Sequence, residues 1–131
     1  MIAIDTNVLL RYLLSDDAVQ TPRAVRLIDT AMERGEVVLI SQIVLCEAEW
    51  VLASTYGASR REMYDIFRRL LATEGFRIED EQLVGACLES YHEGRGDLSD
   101  FLLGAVCRAE GASTTFTFDR KMQREPDFTL L

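Results

Sequence analysis

Two aspartates follow directly on short apolar segments that have the composition of buried β-strands. Met1–Ile4 runs into Asp5, and Thr114–Phe118 runs into Asp119. In open parallel sheets, ligands bind outside the carboxyl ends of the strands, where neighbouring strands deliver side chains to one edge. We therefore predict that these two carboxylates face the same ligand.

Two further acidic residues are placed at the same edge by the order of the predicted elements. Glu47 lies near the start of the helix after the second strand, and Asp100 lies in the first turn of the helix that leads toward Asp119. Asp97 is a close neighbour of Asp100. Crowded carboxylates raise one another's pKa values, and a divalent cation relieves this repulsion. Mg²⁺ prefers oxygen ligands, so the pattern predicts a Mg²⁺ site.

Mg²⁺ held by carboxylates is typical of enzymes that hydrolyse phosphodiesters. The ion can polarise a phosphoryl oxygen and activate a water, and a pair of ions about 3.5–4 Å apart can also steady the leaving oxygen. We therefore expect a metal-activated water to attack a phosphodiester. Catalysis by paired histidines is excluded, because His92 is the one histidine in the chain. The phosphate-binding-loop and serine-hydrolase motifs are also absent.

Each of these acids also has a structural interpretation. An aspartate before a helix caps free backbone N–H groups, and an acid in the first turn complements the helix dipole. Asp97, Asp100 and Asp119 are candidates for such roles. In the same way, Glu47 could face solvent beside Glu49. The joint placement of the acids along one sheet edge, rather than any one position, favours catalysis.

The charge balance restricts how RNA could bind. The chain has 14 Lys and Arg residues against 22 Asp and Glu residues, which gives a net charge of −8. Proteins that bind nucleic acid through bulk electrostatics are basic, so only local basic patches or bound cations could hold RNA here. Candidate backbone contacts follow Asp119, namely Arg120, Lys121 and Arg124. A second basic strip is predicted to be an ordinary solvent-exposed face: Arg60, Arg61, Arg68 and Arg69.

The elements that position these residues alternate short apolar strands with helices, which is typical of an α/β fold around a parallel sheet. Strands are predicted at Met1–Ile4, Val37–Ile40, Phe76–Ile78, Thr114–Phe118 and, at an edge, Phe128–Leu130. Helices are predicted over Asn7–Leu14, Asp80–Tyr91 and Leu98–Ala109. Three further helices are predicted from their start signals: a Thr21 cap followed by Pro22 as the first helical residue, a Ser41 cap, and a capping box at Ser59–Glu62. With 131 residues and no linker or repeat, we expect a single domain spanning residues 1–131.

The apolar runs, the N-terminal sequence and the cysteines indicate the cellular compartment. No apolar run is long enough for a membrane helix and no signal-peptide pattern is present, so we expect a cytoplasmic protein without a membrane partner. The cysteines are Cys46, Cys87 and Cys107. Because they are widely spaced and lie in apolar helical patterns, we predict buried free thiols rather than a disulfide or zinc site.

Together these features resemble the PIN-domain ribonucleases, and among them the VapC-type toxins of prokaryotic toxin–antitoxin pairs. Four short motifs carry the resemblance: Ile4–Asn7, Glu47 within Ser41–Leu52, Leu98–Leu103 and Thr117–Asp119. Their order and spacing and the chain length all agree, so the resemblance spans essentially the whole chain.

The resemblance implies a three-layer α/β/α fold with a five-stranded parallel sheet. It implies Mg²⁺, or Mn²⁺ as a substitute, held mainly by Asp5, Asp100 and Asp119, with Glu47 in the acidic cluster and Asp97 as a further ligand position. Thr6, Asn7 and Thr117 map to polar positions that orient ligands or water. The resemblance also implies a homodimer and a VapB-like antitoxin whose C-terminal segment occupies the active-site groove, in a heterotetramer or larger complex.

Two alternatives stay open. An inactive domain of the same fold that binds RNA or a protein would show no Mg²⁺-dependent cleavage, although the intact set of acids argues against it. An aspartyl-phosphate phosphatase would use Asp5 as its nucleophile. That chemistry typically needs a second aspartate two residues later, where this chain has Asn7, and a nearby lysine.

Overall fold

The chain alternates short strands with helices from one end to the other. The computed structural model describes residues 1–131, and it contains five strands: β1 (Ile2–Ala3), β2 (Val38–Ile40), β3 (Phe76–Ile78), β4 (Thr115–Thr117) and β5 (Phe128–Leu130). The helices are α1 (Thr6–Leu14), α2 (Gln20–Glu33), α3 (Gln42–Ser54), α4 (Arg60–Ala72), α5 (Glu81–Glu93) and α6 (Leu98–Ala109), with a short 3₁₀ helix at Arg120–Met122. The predicted α/β class is confirmed. None of the helices combines the length and apolar character needed to cross a membrane.

The strands are all parallel, but they form two sheets, so the predicted five-stranded sheet is wrong. One sheet has the order β1-β2-β3 and the other contains β4 and β5. β1 has only two residues, because Asp5 caps α1 and the chain becomes helical from Thr6 onward. A strand this short forms its ladder with β2 alone, and it leaves β4 to pair with β5.

Two of the three helix caps predicted at Ser41, Ser59 and Thr21 are present. Ser41 caps α3 by accepting a hydrogen bond from the Val44 backbone N–H at 3.3 Å, as predicted. The predicted capping box at the start of α4 is also present. The predicted Thr21 cap is wrong, because α2 begins at Gln20. The Asp17 carboxylate instead accepts hydrogen bonds at that end, and Pro22 is tolerated in the first turn, where its missing N–H has no helical partner.

A single cluster of apolar side chains anchors the elements that carry the candidate acids. Leu9 of α1, Leu45 of α3 and Leu98 of α6 are almost completely buried, as is Met122 at the end of the 3₁₀ helix. Each lies only a few residues from an acidic position. The core therefore fixes the backbone at the site, while the acidic side chains extend from its edge.

The cysteines form no disulfide, as predicted. Cys87 is buried on α5, and burial raises the pKa of its thiol to about 11. Cys46 and Cys107 are only half-buried, so the expectation that all three are buried is wrong for these two positions.

Candidate active site

The first turn of α1 connects two of the candidate acids. Asp5 is the N-cap of α1, and its Oδ1 accepts a hydrogen bond from the Val8 backbone N–H at 3.0 Å. Thr6 is buried, and its hydroxyl donates to Glu47 Oε2 at 2.7 Å. Asn7 is exposed and lines a cleft together with Asp5. The threonine hydroxyl thus holds the Glu47 carboxylate of α3 beside the start of α1.

Glu47 and Glu49 point to opposite sides of α3. Glu47 is exposed, whereas Glu49 is only 6% exposed and accepts hydrogen bonds from the backbone N–H groups of Leu98 at 2.6 Å and Ser99 at 2.9 Å. Burial raises the pKa of the Glu49 carboxyl, and the two N–H donors offset only part of that rise. The interpretation that places Glu49 in solvent is therefore wrong.

Both acids at the start of α6 take part in its first turn. Asp97 occupies the N-cap position, and Asp100 Oδ2 accepts a hydrogen bond from the Asp97 backbone N–H at 2.9 Å. The positive end of the helix dipole lies at this turn and stabilises the nearby carboxylates. Asp97 thus occupies the predicted N-cap position and Asp100 the first turn, and the exposed Asp97 carboxylate lies 3.9 Å from the Lys121 ammonium.

Arg60 of α4 holds the loop that precedes Asp97. Its guanidinium donates hydrogen bonds to four backbone carbonyls and lies 4.2 Å from the centre of the Tyr91 ring. The carbonyls and distances are Tyr91 (2.7 Å), Gly94 (3.1 Å), Arg95 (3.2 Å) and Gly96 (2.8 Å). Arg60 is exposed, as predicted for its strip, but its guanidinium makes tertiary contacts that the sequence did not predict. Together, Arg60 and Glu49 fix the segment that carries both α6 acids.

The end of β4 positions the last acid. Thr117 Oγ1 accepts a hydrogen bond from the Asp119 backbone N–H at 3.0 Å, and Asp119 Oδ1 accepts one from the Lys121 backbone N–H at 2.9 Å. Asp119 thus caps the 3₁₀ helix that ends at Met122, as its structural interpretation predicted. The Lys121 ammonium lies 3.6 Å from Asp119 Oδ2 and 3.9 Å from Asp97 Oδ2.

These contacts link four separate elements along one edge. Thr6 and Glu47 connect α1 to α3, Glu49 connects α3 to α6, and Lys121 connects α6 to the end of β4. By contrast, Arg120 and Arg124 are exposed and make no ion pair. The contacts therefore link the elements that carry the predicted acids, but none of them joins one of Asp5, Asp100 and Asp119 to another.

The chemistry of this edge suits a hard divalent cation. Four carboxylates each have one oxygen fixed by a hydrogen bond and a second oxygen that accepts none: Asp5, Glu47, Asp100 and Asp119. The exposed Lys121 ammonium lies near two carboxylates of the edge, those of Asp119 and Asp97. No group of three or more His, Cys, Asp or Glu side chains is arranged so that it could hold a metal ion. Binding an ion would therefore require the acidic side chains to turn toward one another.

Helical spacing could have revealed Glu49. It follows Leu45 by four residues and precedes Leu52 by three, so it lies on the buried side of α3. Arg60 has no comparable signal, because the carbonyls it contacts are more than 30 residues away in the chain.

The protein is an α/β protein with parallel strands, and its candidate acids lie after strands and at the starts of helices. The sequence profile of the PIN domain matches residues 2–127 and so includes every acidic position described above. The protein belongs to the PIN domain family. It is also similar to a VapC ribonuclease of Aquifex aeolicus (strain VF5), with 22% identity over 121 residues that cover 92% of this chain and 89% of the relative. The predicted resemblance to PIN-domain and VapC-type proteins is confirmed.

Proposed function

We propose that this protein is a metal-dependent endoribonuclease and the toxin of a toxin–antitoxin pair. Membership of the PIN domain family and similarity to a VapC ribonuclease support the assignment. The observation that carries it is the acidic edge, in which contacts made by Thr6, Glu49 and Lys121 link α1, α3, α6 and the end of β4. A binding module without catalysis would have no evident use for so many carboxylates in one region.

Asp5, Asp100 and Asp119 are the residues proposed to hold Mg²⁺, or Mn²⁺ in its place. Asp97 is a further ligand position beside Asp100. When bound, the ion would polarise a phosphoryl oxygen and lower the pKa of a water molecule. Asp5, Asp100 and Asp119 each have one oxygen that accepts no hydrogen bond, and that oxygen of Asp119 lies 3.6 Å from the Lys121 ammonium. Ion binding would require these carboxylates to turn toward one another.

The other residues of the edge are proposed to orient the reactants. Thr6 holds one oxygen of Glu47, which leaves Oε1 free to accept a proton from the attacking water. Asn7 is exposed beside Asp5 and could contact the ligand, and Thr117 fixes the Asp119 backbone. In the proposed reaction, water oxygen bonds to phosphorus and the bond to the 3′ oxygen breaks. That oxygen takes up a proton, so the products have 5′-phosphate and 3′-hydroxyl ends.

The remaining proposals concern the domain, location and partners of the enzyme. We propose that residues 1–131 form one PIN domain that works in the cytoplasm as a homodimer. A VapB-like antitoxin would occupy the acidic edge in a heterotetramer or larger complex. Similarity to a VapC ribonuclease supports these proposals, and Arg120, Lys121 and Arg124 are proposed RNA-backbone contacts at the same edge.

Cleavage of a labelled single-stranded RNA in a Mg²⁺ titration tests the proposed activity. We expect Mg²⁺-dependent products with 5′-phosphate ends, no cleavage in chelator, and a rate lower by roughly 10²-fold or more for Asp5→Asn and Asp100→Asn. Asp65→Asn is the matched control, because Asp65 is on α4 and makes only a long ion pair with Arg61 at 3.9 Å. Near-normal turnover by both site variants would contradict the metal-site account. A phosphoaspartate trapped on Asp5 would instead indicate the phosphatase.

A further inference from the structure

A cleft between α1 and α2 begins at Asp5. A cavity of about 260 Å³ is lined by Asp5, Asn7 and Val8 together with side chains of α2. A second cavity of about 350 Å³ continues along α2 and shares Arg23 and Leu27 with the first. The two cavities are neighbours along α2, the first against α1 and the second against Ile2 and Glu36. We call them together the α1–α2 cleft.

The charge of the α1–α2 cleft is opposite to that of the whole protein. Four arginines line it, namely Arg11, Arg23, Arg26 and Arg34, against two carboxylates, Asp5 and Glu36. Glu36 lies 3.7 Å from the N-terminal ammonium, which compensates part of its charge. In a chain with a net charge of −8, this cleft is a local surface at which a polyanion would not be repelled.

The arginines differ in how far their side chains are already engaged. Arg11 is fixed by Asp16 at 3.0 Å and by Gln20 at 2.8 Å. Arg23, Arg26 and Arg34 are exposed and form no ion pair or side-chain hydrogen bond. Exposed arginines without partners keep all their N–H donors for a ligand, and the guanidinium fork matches phosphate oxygens.

The free arginines follow one another along a single face of α2. Arg26 is three residues after Arg23 on α2, and Arg34, eight residues further on, is the C-cap of the helix. At helical spacing the three positions lie on one side of α2. At a rise of about 1.5 Å per residue, they extend over roughly 16 Å. A row of this length can contact more than one phosphate of an extended strand.

We propose that the α1–α2 cleft binds the phosphate backbone of single-stranded RNA and leads it to Asp5. This proposal rests on the proposed nuclease function, since it places the bound strand beside the acidic edge where cleavage would occur. An acidic protein segment could use the same arginines. RNA is favoured over an acidic protein segment because its phosphates repeat along the strand and can pair with a row of guanidiniums. The row also ends at the cavity that Asp5, a proposed metal ligand, lines.

The test measures equilibrium binding of a fluorescent single-stranded RNA, by anisotropy, to protein that carries Asp119→Asn. That change is intended to stop cleavage and lies outside the cleft. Adding Arg23→Gln and Arg26→Gln should raise Kd about tenfold or more. It should also reduce the slope of log K against log salt by about 1.4, since each phosphate contact on a single strand contributes about 0.7. Arg68→Gln with Arg69→Gln on α4 removes the same charge elsewhere and should change both quantities much less.

The outcomes separate this proposal from the nuclease assignment. If wild type cleaves RNA but both double variants bind it equally well, or Asp119→Asn binds no RNA, the cleft proposal is overturned and the nuclease assignment stands. If wild type does not cleave but the cleft pair alone weakens binding, the RNA site stands and the nuclease assignment fails. Melting temperatures of all variants check that the exposed substitutions leave the fold intact.

Discussion

Glu49 shows how a single buried residue can position a site that it does not itself form. Its carboxylate lies between α3 and α6 and accepts hydrogen bonds from the backbone N–H groups of Leu98 and Ser99. These two N–H groups are in the first turn of α6 and have no partner within the helix. These hydrogen bonds and the helix dipole compensate part of the cost of burying a charge. We therefore propose that Glu49 is a positioning residue, which acts through the backbone that carries Asp97 and Asp100.

Glu49→Ala is expected to lower the free energy of unfolding by about 1–3 kcal/mol, because two backbone N–H groups lose their partner. Glu49→Gln keeps an acceptor oxygen and should recover part of this loss. Urea denaturation measures the stability, and hydrogen exchange of the Leu98 and Ser99 amides reports the contact itself. In the nuclease assay, kcat should fall more than KM changes.

Glu79→Ala is the control for this prediction. Its exposed carboxylate accepts a hydrogen bond from the Gln42 backbone N–H at 2.8 Å, also at a helix start. Water can replace that partner, so the stability loss should be smaller. Equal losses for the two alanine variants, with unchanged exchange at Leu98 and Ser99, would show that the buried contact has no special role.

The sequence predicts some site residues better than others for a physical reason. Asp5 and Asp119 lie two residues after the ends of β1 and β4, so a local pattern locates them. Glu49 and Arg60 act on backbone groups 31 to 50 residues away. A prediction from local sequence places a charged residue at the surface, because charged residues are mostly exposed. Only the tertiary fold shows which charged side chains contact a distant backbone segment.

At the scale of elements, α6 packs unusually close to the segment that contains β5. A Cβ atom on Gly104 would lie 2.6 Å from a ring carbon of the buried Phe128 and 3.2 Å from the Cβ of Asp127. The glycine thus allows the helix that carries Asp100 to lie against the second sheet. Gly85, in the middle of α5, has no such neighbour within 4 Å.

Opposite effects are expected from alanine at these two helical glycines. Gly85→Ala should raise the free energy of unfolding by about 0.5–1 kcal/mol, because alanine loses less backbone entropy in a helix. Gly104→Ala gains the same term but must displace Phe128, and overpacking of this kind typically costs about 1–3 kcal/mol. Urea denaturation of both variants measures the difference. A stabilised Gly104→Ala protein would contradict the close packing.

Strand positions were predicted well, whereas strand pairing was not. The prediction for β3 at Phe76–Ile78 and that for β5 at Phe128–Leu130 match the structure, because apolar runs between turn residues are local features. Whether β1 also pairs with β4 depends on how many residues remain extended before Asp5 begins α1. That number follows from capping geometry, and the two-residue β1 leaves the sheets separate.

At the scale of the whole molecule, charge is divided between two neighbouring regions. The acidic edge collects carboxylates from four elements, and the α1–α2 cleft collects free arginines beside Asp5. This division offers an answer to how a chain with a net charge of −8 could bind RNA. The net charge follows from the composition alone. The separation of acidic and basic regions could not be predicted, because it depends on which faces of α1 and α2 meet.

The central claim is that acids far apart in the chain share one metal ion, and a crystal grown with Mn²⁺ tests it most directly. The account predicts an anomalous peak in direct contact with oxygens of Asp5, Asp100 and Asp119, near the roughly 2.0–2.1 Å typical of Mg²⁺ ligands. Asp100→Asn should weaken or remove that peak. A well-ordered acidic edge without a peak at saturating Mn²⁺, or a peak bound only elsewhere, would contradict the account.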